Sequence, residues 1–445
     1  MKINYDNYHQ ALDYLNQIGN ISSPNRLKKP NGRALFLKRF EYFLKLLGNP
    51  QNNFKYIHVG GTSGKGSVST MVQSILTQAG FNAGLFTSPN VTAPIEKIKV
   101  KNQLISPDEF VAVLNSIKPA IDYAYQHSPY GRPSWFEIWA AMAFVYFRNK
   151  KCDYVVLEVG LGGRFDATNI IKKSEIAIIN KVGLDHVDVL GNTISEIAKE
   201  KAGIIKPNSI LFTPNTNSPA VLKVLKQTCQ KVGAEFNLIK PPVKKYNLLM
   251  TGLHQQINAE IAANACRRLG VKESAINHGL AKTKMAGRFE IIQKNPLVIL
   301  DGAHNESKMQ SVVKNIENLT YSKNSGSTLS KVKKLTYRKL YLIIALTAER
   351  DGQKIFKEVG KLADHLFITR YQTSSRKCYS PLKLKKIIKT KAKKEIFLDP
   401  HQAMKKALKL ATKKDLILVT GSFYLVGDIR ELWRSEEQIL KERKI

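Results

Sequence analysis

Long apolar runs are missing from this chain of 445 residues. A membrane-spanning helix needs about 20 consecutive apolar residues, and no stretch approaches that. Residues 1–20 mix Tyr, Asp, Asn and Gln with few apolar side chains, so neither a signal peptide nor an anchor is read there. Cysteine is scarce: Cys152, Cys229, Cys266 and Cys378 are scattered, with no CxxC pair. That argues against a disulfide framework or a zinc site, fits a reducing compartment, and makes the cytoplasm the expected location. Acidic residues are also few, 35 against 70 Lys and Arg, for a formal net charge of +35. Such a surplus attracts polyanions, and nucleic acid is the first partner to weigh. The charge is spread thinly, however, denser only at 331–339 and 383–394, and no RNA- or DNA-binding motif accompanies it. The expectation is a lysine-rich solvated surface that draws in small polyanionic substrates, with no nucleic acid, no membrane and a monomeric chain.

What is present is a globular composition: 43% hydrophobic residues suffice for a core, and the length predicts two or three domains. Residues 36–47 (FLKRFEYFLKLL) carry apolar positions at helical spacing, stopped by Gly48-Asn49-Pro50. A short strand at 56–59, a glycine loop, a helix at 68–79 closed by Gly80 and a strand at 83–86 open a parallel α/β sheet. Alternation continues with a helix at 135–147, strands at 154–159 and 176–179, a helix at 194–201, a strand at 210–213 and an Ala-rich helix at 255–269. Near Ala286-Gly287 the pattern restarts, with strands at 297–300, 340–345, 365–369 and 416–419. The expected fold class is α/β: a P-loop parallel-sheet N-terminal ATPase domain over 1–285, then a smaller Rossmann-like α/β domain over 286–445. Residues 322–334 are rich in Ser, Lys, Asn and Gly and read as a mobile surface loop. There is no internal repeat.

The clearest chemistry is the loop Gly61-Thr62-Ser63-Gly64-Lys65-Gly66-Ser67 between strand and helix. Glycines let backbone N–H groups approach phosphate oxygens, and the helix N-terminus adds partial positive charge. Lys65 reaches the terminal phosphates and Ser67 can face Mg²⁺. The usual template is G-x-x-x-x-G-K-[ST]; here Gly66 is inserted between Lys65 and Ser67. The competing reading, a glycine turn without function, sits poorly with the strand before, the helix after and the lysine in place.

Further motifs follow in order: Leu85-Phe86-Thr87-Ser88-Pro89, Phe136-Glu137, LEVGLGGRFDATN at 157–169, Gly183-Leu184-Asp185-His186, Glu200-Lys201-Ala202-Gly203-Ile204, and His254-Gln255 with Asn258-Ala259. Gly287-Arg288-Phe289-Glu290, Asp301-Gly302-Ala303-His304-Asn305 and Val419-Thr420-Gly421-Ser422 complete the series. The loop resembles the GTNGKGS loop of folylpolyglutamate and dihydrofolate synthases, with Ser63 for Asn. The order and spacing of all these motifs resemble the same family over nearly the whole chain from about Leu35. The related Mur ligases share the architecture, but usually carry Gly-Lys-[ST] directly and an extra N-terminal domain.

The resemblance implies ATP-dependent addition of L-glutamate to a folate-type carboxylate, either dihydropteroate or a reduced folate. A carboxylate is a poor acyl donor, because its leaving group would be oxide. Phosphorylation by ATP yields an acyl phosphate, which the amine of glutamate attacks. Anion must approach anion, so the site must first neutralise charge. The resemblance further implies two Mg²⁺ ions, with Ser88 and Glu158 as ligands of one and His186 of the other. It implies that Lys201 becomes a carbamate, that Thr62 to Ser67, Asn258, Arg288 and Asp301 contact ATP, and that Lys65, Glu158, His186 and Lys201 carry the chemistry. Pro89 and Asn90 fall on the acceptor side, and Asp301, His304 and Ser422 on the glutamate side. Simpler readings stand beside these: His186 as a loop histidine capping Asp185 or Asp188, Glu158 paired with Arg164, Lys201 paired with Glu196 or Glu200, and Asp301-Gly302 as an ordinary turn.

The acceptor side departs from the family. Many members have Ser-Pro-His-Leu where this chain has Ser88-Pro89-Asn90-Val91, and Glu-Arg-Ile where it has Glu96-Lys97-Ile98. Glu306 replaces a proline after Asn305. Lys97 keeps a cation but loses the guanidinium fork, and Asn90 loses a titratable ring. Two alternatives therefore stay open: a ligase for a different carboxylate on the same scaffold, and a nucleotide-binding module with an RNA or protein partner.

Overall fold

The computed structural model describes residues 5–18, 30–320, 337–373 and 376–444; the stretch 322–334, read from sequence as a loop, lies outside them. Residues 55–239 build the first sheet. Its strands are β1 (Lys55–Gly60), β2 (Ala83–Phe86), β3 (Ile98–Val100), β4 (Gln103–Leu104), β5 (Tyr154–Glu158), β6 (Ile176–Ile179), β7 (Ile210–Pro214) and β8 (Glu235–Ile239). They lie in the order β4-β3-β2-β5-β1-β6-β7-β8. The run from β2 to β8 is parallel. β3 and β4 join as an antiparallel edge.

The central strands are apolar on both faces because helices cover both, as a parallel sheet requires. Successive residues alternate faces. Ile57, Val59 and Val156 pack with α3 (Lys65–Gln78), α8 (Leu253–Arg268) and α9 (Glu273–Lys282). Tyr56, Val155 and Leu157 pack with α1 (Tyr5–Ile18), α2 (Pro30–Leu46), α4 (Pro107–His127) and α5 (Trp135–Asn149). Ala177, Ile179 and Leu211 meet α6 (Ile194–Ala202) and α7 (Pro219–Val232).

The second sheet contains β9 (Glu290–Lys294), β10 (Leu297–Asp301), β11 (Leu340–Ile344), β12 (His365–Ile368), β13 (Lys393–Ile396) and β14 (Leu416–Thr420), ordered β13-β12-β11-β14-β10-β9. Only β9 runs antiparallel to its neighbour. α10 (Glu306–Thr320) covers one face, and α11 (Pro400–Leu410) with α12 (Phe423–Arg430) the other. The last helix, α13 (Glu436–Glu442), returns to the first sheet and places Ile439 and Leu440 in the core beside Tyr8 and Phe110. Each strand expected from the sequence is present. The hairpin β3–β4, the peripheral strands β8, β9 and β13, and the helices α4, α7 and α9 are additions. Among the described residues no helix is long and apolar enough to cross a membrane.

A buried ion pair ties α2 to α5. Arg39 donates to Glu137 through Nε to Oε2 and Nη2 to Oε1, both at 2.9 Å. Both side chains are nearly inaccessible, so neither charge has water to fall back on. Glu137 also closes the capping box of α5 with Ser134. Removing one partner strands the other charge. Arg39→Met is therefore expected to lower unfolding free energy by about 3–5 kcal/mol, while Arg39→Met with Glu137→Leu recovers most of the loss. Denaturant titration of the two variants checks this; equal losses would show that the charges are not coupled.

Candidate active site

The C-terminal ends of β1, β5 and β6 from one sheet and of β10, β11 and β14 from the other face a shared cleft of about 720 Å³. Open α/β sheets hold ligands at this end, because loops leave the strands there and helix N-termini point toward it.

The loop after β1 supplies the floor. Gly64 takes φ +80 as N-cap of α3, so the first-turn N–H groups of that helix point into the cleft without a side-chain cap. A Cβ on Gly64 would stand 2.2 Å from Asn180 Nδ2, so only glycine fits. Lys65 Nζ folds back on the Gly61 carbonyl at 3.2 Å. Lys201, reaching in from α6, donates to the same oxygen at 3.1 Å. Thr62 Oγ1 is locked to Gly183, donating to its carbonyl at 3.0 Å and accepting its N–H at 3.1 Å. A chain of amides fixes the far side: Asn180 donates to Asn258, Asn258 to Gln255, and Gln255 to Ser67 Oγ, at 2.7, 2.9 and 3.4 Å.

Gly66, the residue that breaks the usual template, has a spatial reason. A Cβ there would meet Met285 Cε at 2.5 Å and the Glu158 carboxylate oxygens at 3.3 and 3.5 Å. The glycine clears room between the helix start and Glu158. That carboxylate ends β5, is buried, and accepts the Ser88 N–H at 3.2 Å through Oε2. Burial, the largest influence, raises its pKa; Lys65 and Arg288 pull it back down. Arg164 is not its partner. Asp166 accepts the Leu161 and Thr168 N–H groups at 2.8 and 2.9 Å and so holds the 160–162 loop along the cleft wall.

Lys201 contacts neither acid proposed for it. Glu196 is engaged by Thr193, and Glu200 by Arg33 at 3.1 Å. Burial first, and then Lys65, lowers the Lys201 pKa to about 7. His186 sits at φ 50 in the loop after β6, and its own N–H donates to Asp185 Oδ1 at 3.1 Å. Burial lowers its pKa, against the opposing pull of Asp185, and the ring lines the cleft.

From the second sheet, Asp301 accepts the Phe289 and Ala303 N–H groups at 2.8 Å each, the geometry of a strand-ending turn, with the carboxylate buried in the field of Arg288. The Arg288 guanidinium lies 4.2 Å from the centroid of the Phe423 ring. Ser422 caps α12 by accepting the Tyr424 N–H at 3.1 Å. Arg350, after β11, bridges to Asp185 at 2.9 Å and so spans the cleft. Burial opposes ionisation of Asp185, but His186 and Arg350 together hold it at about 2.

Thus Thr62, Ser63, Gly64, Lys65, Gly66, Ser67, Ser88, Pro89, Glu158, His186, Lys201, Asn258, Arg288, Asp301, His304 and Ser422 all line one cleft. Asn90 does not. Its side-chain oxygen accepts from Lys97 Nζ, and that ammonium lies over the rings of Trp135 and Trp139 at 5.4 and 4.4 Å. Lys308, Arg350, Arg376 and Asn180 also line or brace the cleft and were not singled out from sequence. The position of Arg350 and Asn180 just past buried strands was the available signal.

Among the described residues no three His, Cys, Asp or Glu side chains converge as a metal cage. The donor set nevertheless suits Mg²⁺, which keeps several waters and takes one or two protein oxygens plus substrate phosphates. Glu158, cleared by Gly66 and placed beside Lys65 and Ser88, provides such an oxygen.

The chain is similar to known proteins over most of its length. Residues 287–423 match the family described as Mur ligase, glutamate ligase domain. The chain is 30% identical to the dihydrofolate synthase/folylpolyglutamate synthase of Bacillus subtilis (strain 168), over 89% of this chain and 94% of that one. It is 29% identical to the dihydrofolate synthetase of Saccharomyces cerevisiae, over 90% and 98%. Among solved structures, the folylpolyglutamate synthase of Thermotoga maritima superposes with TM-score 0.78 at 30% identity, covering 96% of each chain. That of Mycobacterium tuberculosis complexed with ADP gives 0.81 at 25%, covering 96% and 98%.

Gly66→Ala isolates the nucleotide pocket from the fold, since alanine favours the helix and flexible Met285 can give way. Crowding against Glu158 is expected to weaken ATP-analogue binding about tenfold or more, the equivalent of the 1–3 kcal/mol typical of overpacking, with little change in melting temperature. Calorimetric titration alongside a thermal melt checks it; unchanged affinity would place the phosphates elsewhere.

Proposed function

We propose that this chain, which belongs to the dihydrofolate synthase/folylpolyglutamate synthase family, joins L-glutamate to a folate-type carboxylate through an acyl phosphate made from ATP. The observation that carries the reading is the placing of Lys65, Glu158, Lys201 and Arg288 in one cleft at the strand ends, with Lys65 and Arg288 acting on the Glu158 carboxylate and Lys201 sharing the Gly61 carbonyl with Lys65. Residues 1–285 form the ATP-binding part and 286–445 the glutamate-ligase part, with α13 strapped back onto the first. The enzyme works in the cytoplasm as a monomer on small molecules.

The loop N–H groups from Gly64 to Ser67 and the Lys65 ammonium hold the β- and γ-phosphates, while the Lys181 carbonyl accepts the Thr62 and Ser63 N–H groups at 2.8 and 3.2 Å and sets the shape of the loop beneath them. Asn258 and, from the other side, Arg288 and Asp301 fix the rest of the nucleotide. Ser88 and Glu158 would hold one Mg²⁺ and His186 a second; bound there, the metal supplies the charge neutralisation that lets a carboxylate approach the γ-phosphate. Arg288 and Lys65 place two fixed cations where negative charge gathers during transfer. Pro89, with Asn90 behind it, shapes the acceptor side. Asp301, His304 and Ser422 present the incoming amino acid from the opposite wall. The cleft walls keep water from the acyl phosphate.

Lys201 carries a carbamate in this reading. A lysine must be neutral to react with CO₂, and burial beside Lys65 favours the neutral form. The product is an anion fixed at the Gly61 carbonyl end of the loop, in the metal's neighbourhood. With ¹³C-bicarbonate, wild type is expected to show a carbamate carbon resonance that Lys201→Arg lacks; identical spectra would remove the modification.

ADP release measured with dihydropteroate or tetrahydrofolate plus glutamate tests the activity. Turnover is expected with at least one acceptor, and mass spectrometry of the product lengths tells first-glutamate addition from chain extension. Lys65→Ala is expected to abolish ADP release while circular dichroism stays unchanged. Absence of turnover with either acceptor would point instead to another carboxylate, an outcome to which the self-contained Lys97–Asn90 pair lends a structural reason.

A further inference from the structure

Asn305 caps α10, its Oδ1 accepting the Lys308 N–H at 3.0 Å. That first turn aims the Lys308 side chain into the cleft, where Nζ stands 3.1 Å from His304 Nε2. His304 Nδ1 lies 2.8 Å from the Gly302 carbonyl oxygen. A carbonyl can only accept, so Nδ1 carries the hydrogen and Nε2 is the lone-pair side of a neutral imidazole. Lys308 must then be the donor. A neutral Lys308 keeps this bond: it gives one N–H to Nε2 and turns its own lone pair toward the cleft.

The surroundings favour that neutral form. Burial lowers the Lys308 pKa to about 7, with Arg288, Lys65 and Arg350 pushing the same way and Asp185 opposing; the carboxylates of Glu158, at the end of β5, and Asp301, at the end of β10, also face it and oppose the shift without cancelling it. The first four of these groups face Lys308 from the segment before β9, from α3, from the loop after β11 and from the loop after β6. His304 faces it from its own side of the cleft.

We infer that Lys308 is a catalytic residue of the amide-forming half of the reaction, taking a proton from the ammonium group of the incoming amino acid while His304 holds it in place. The inference rests on the ligase reading above. The step balances. The nitrogen forms its bond to the acyl carbon, and the carbon–oxygen bond to phosphate breaks with its electron pair on the phosphate. Of the two protons the nitrogen loses, one goes to Lys308 Nζ and the other leaves with hydrogen phosphate. His304 alone does not serve, because its free lone pair is already occupied by Lys308.

Hydroxylamine separates the two halves of the reaction. It is uncharged at neutral pH, needs no base, and captures an acyl phosphate as a hydroxamate. In Lys308→Met and Lys308→Arg, hydroxamate formation from acceptor and ATP is expected to stay near the wild-type rate. Amide formation with glutamate is expected to fall about 10²-fold or more, the usual contribution of a general base. Arginine keeps the charge but does not deprotonate, so it rescues a purely electrostatic or structural role and not this one. The wild-type amide step should also rise with pH through an ionisation near neutrality, present above the lysine's pKa and lost below it, and flat in Lys308→Arg. Restoration of amide formation by arginine, or loss of hydroxamate in parallel with amide, would overturn the assignment. Wild type that forms neither hydroxamate nor ADP overturns the ligase reading and the inference with it. Wild type that forms both leaves the reading intact whatever the variants do.

Discussion

One carbonyl oxygen organises this active site. Gly61 accepts from both Lys65 and Lys201, at 3.2 and 3.1 Å. Two ammonium groups held so close repel: unit charges 4 Å apart cost about 4 kcal/mol at an effective dielectric of 20. Of the two, the more deeply buried is the one that yields. Lys201, deeper in α6 and shielded from water, is therefore the group driven toward neutrality. The arrangement sets two lysines of unequal burial side by side on one oxygen. Glu158 is placed by the same logic, since its charge is tolerated at the end of a buried strand only with Lys65 and Arg288 nearby.

The second sheet completes this half-site. On one side of the interface the contact is extensive. Arg430, held at 3.0 Å by Glu290 of its own sheet, donates across to Thr92 at 3.1 Å, and Arg443 of the tail binds the Leu104 carbonyl and Glu109, each at 2.9 Å. Across the cleft mouth the contact is polar and narrow: Arg350 with Asp185 at 2.9 Å and Asn305 with Asp185 at 3.5 Å. Arg288, Asp301 and His304 thus line the cleft from the second sheet, opposite the 61–67 loop of the first. A cleft closed by a few charged contacts can open at small cost, because solvent compensates the separated charges.

Much of this was legible in the chain. Strands 56–59, 154–159 and 176–179 are near-continuous apolar runs, as strands buried on both faces must be. The phosphate loop declared itself through glycines and Lys65 between such a strand and a helix. The missed pieces share physical causes. α4 carries a clear start signal, Ser106-Pro107-Asp108-Glu109, but its apolar positions are diluted along 21 residues. β13, Lys393–Ile396, is a lysine-bearing edge strand, where charge blunts pairing and hides the strand pattern. In the site, residues adjacent in sequence to a motif were found, whereas Arg350 and Lys308 gain their roles only when a second sheet folds over the first. Asn90, read from its place after Ser88-Pro89 as an acceptor-side residue, lies outside the cleft lining, and the Lys97 ammonium under Trp135 and Trp139 holds its oxygen.

The cleft is expected to transfer the γ-phosphate of ATP to a carboxylate before the amine arrives. Isotopic labelling reads this directly. With an acceptor whose reacting carboxylate carries ¹⁸O, the account predicts that label appears in the inorganic phosphate released during amide formation, with ADP as the nucleotide product. Phosphate free of label, or label carried into AMP, would contradict it.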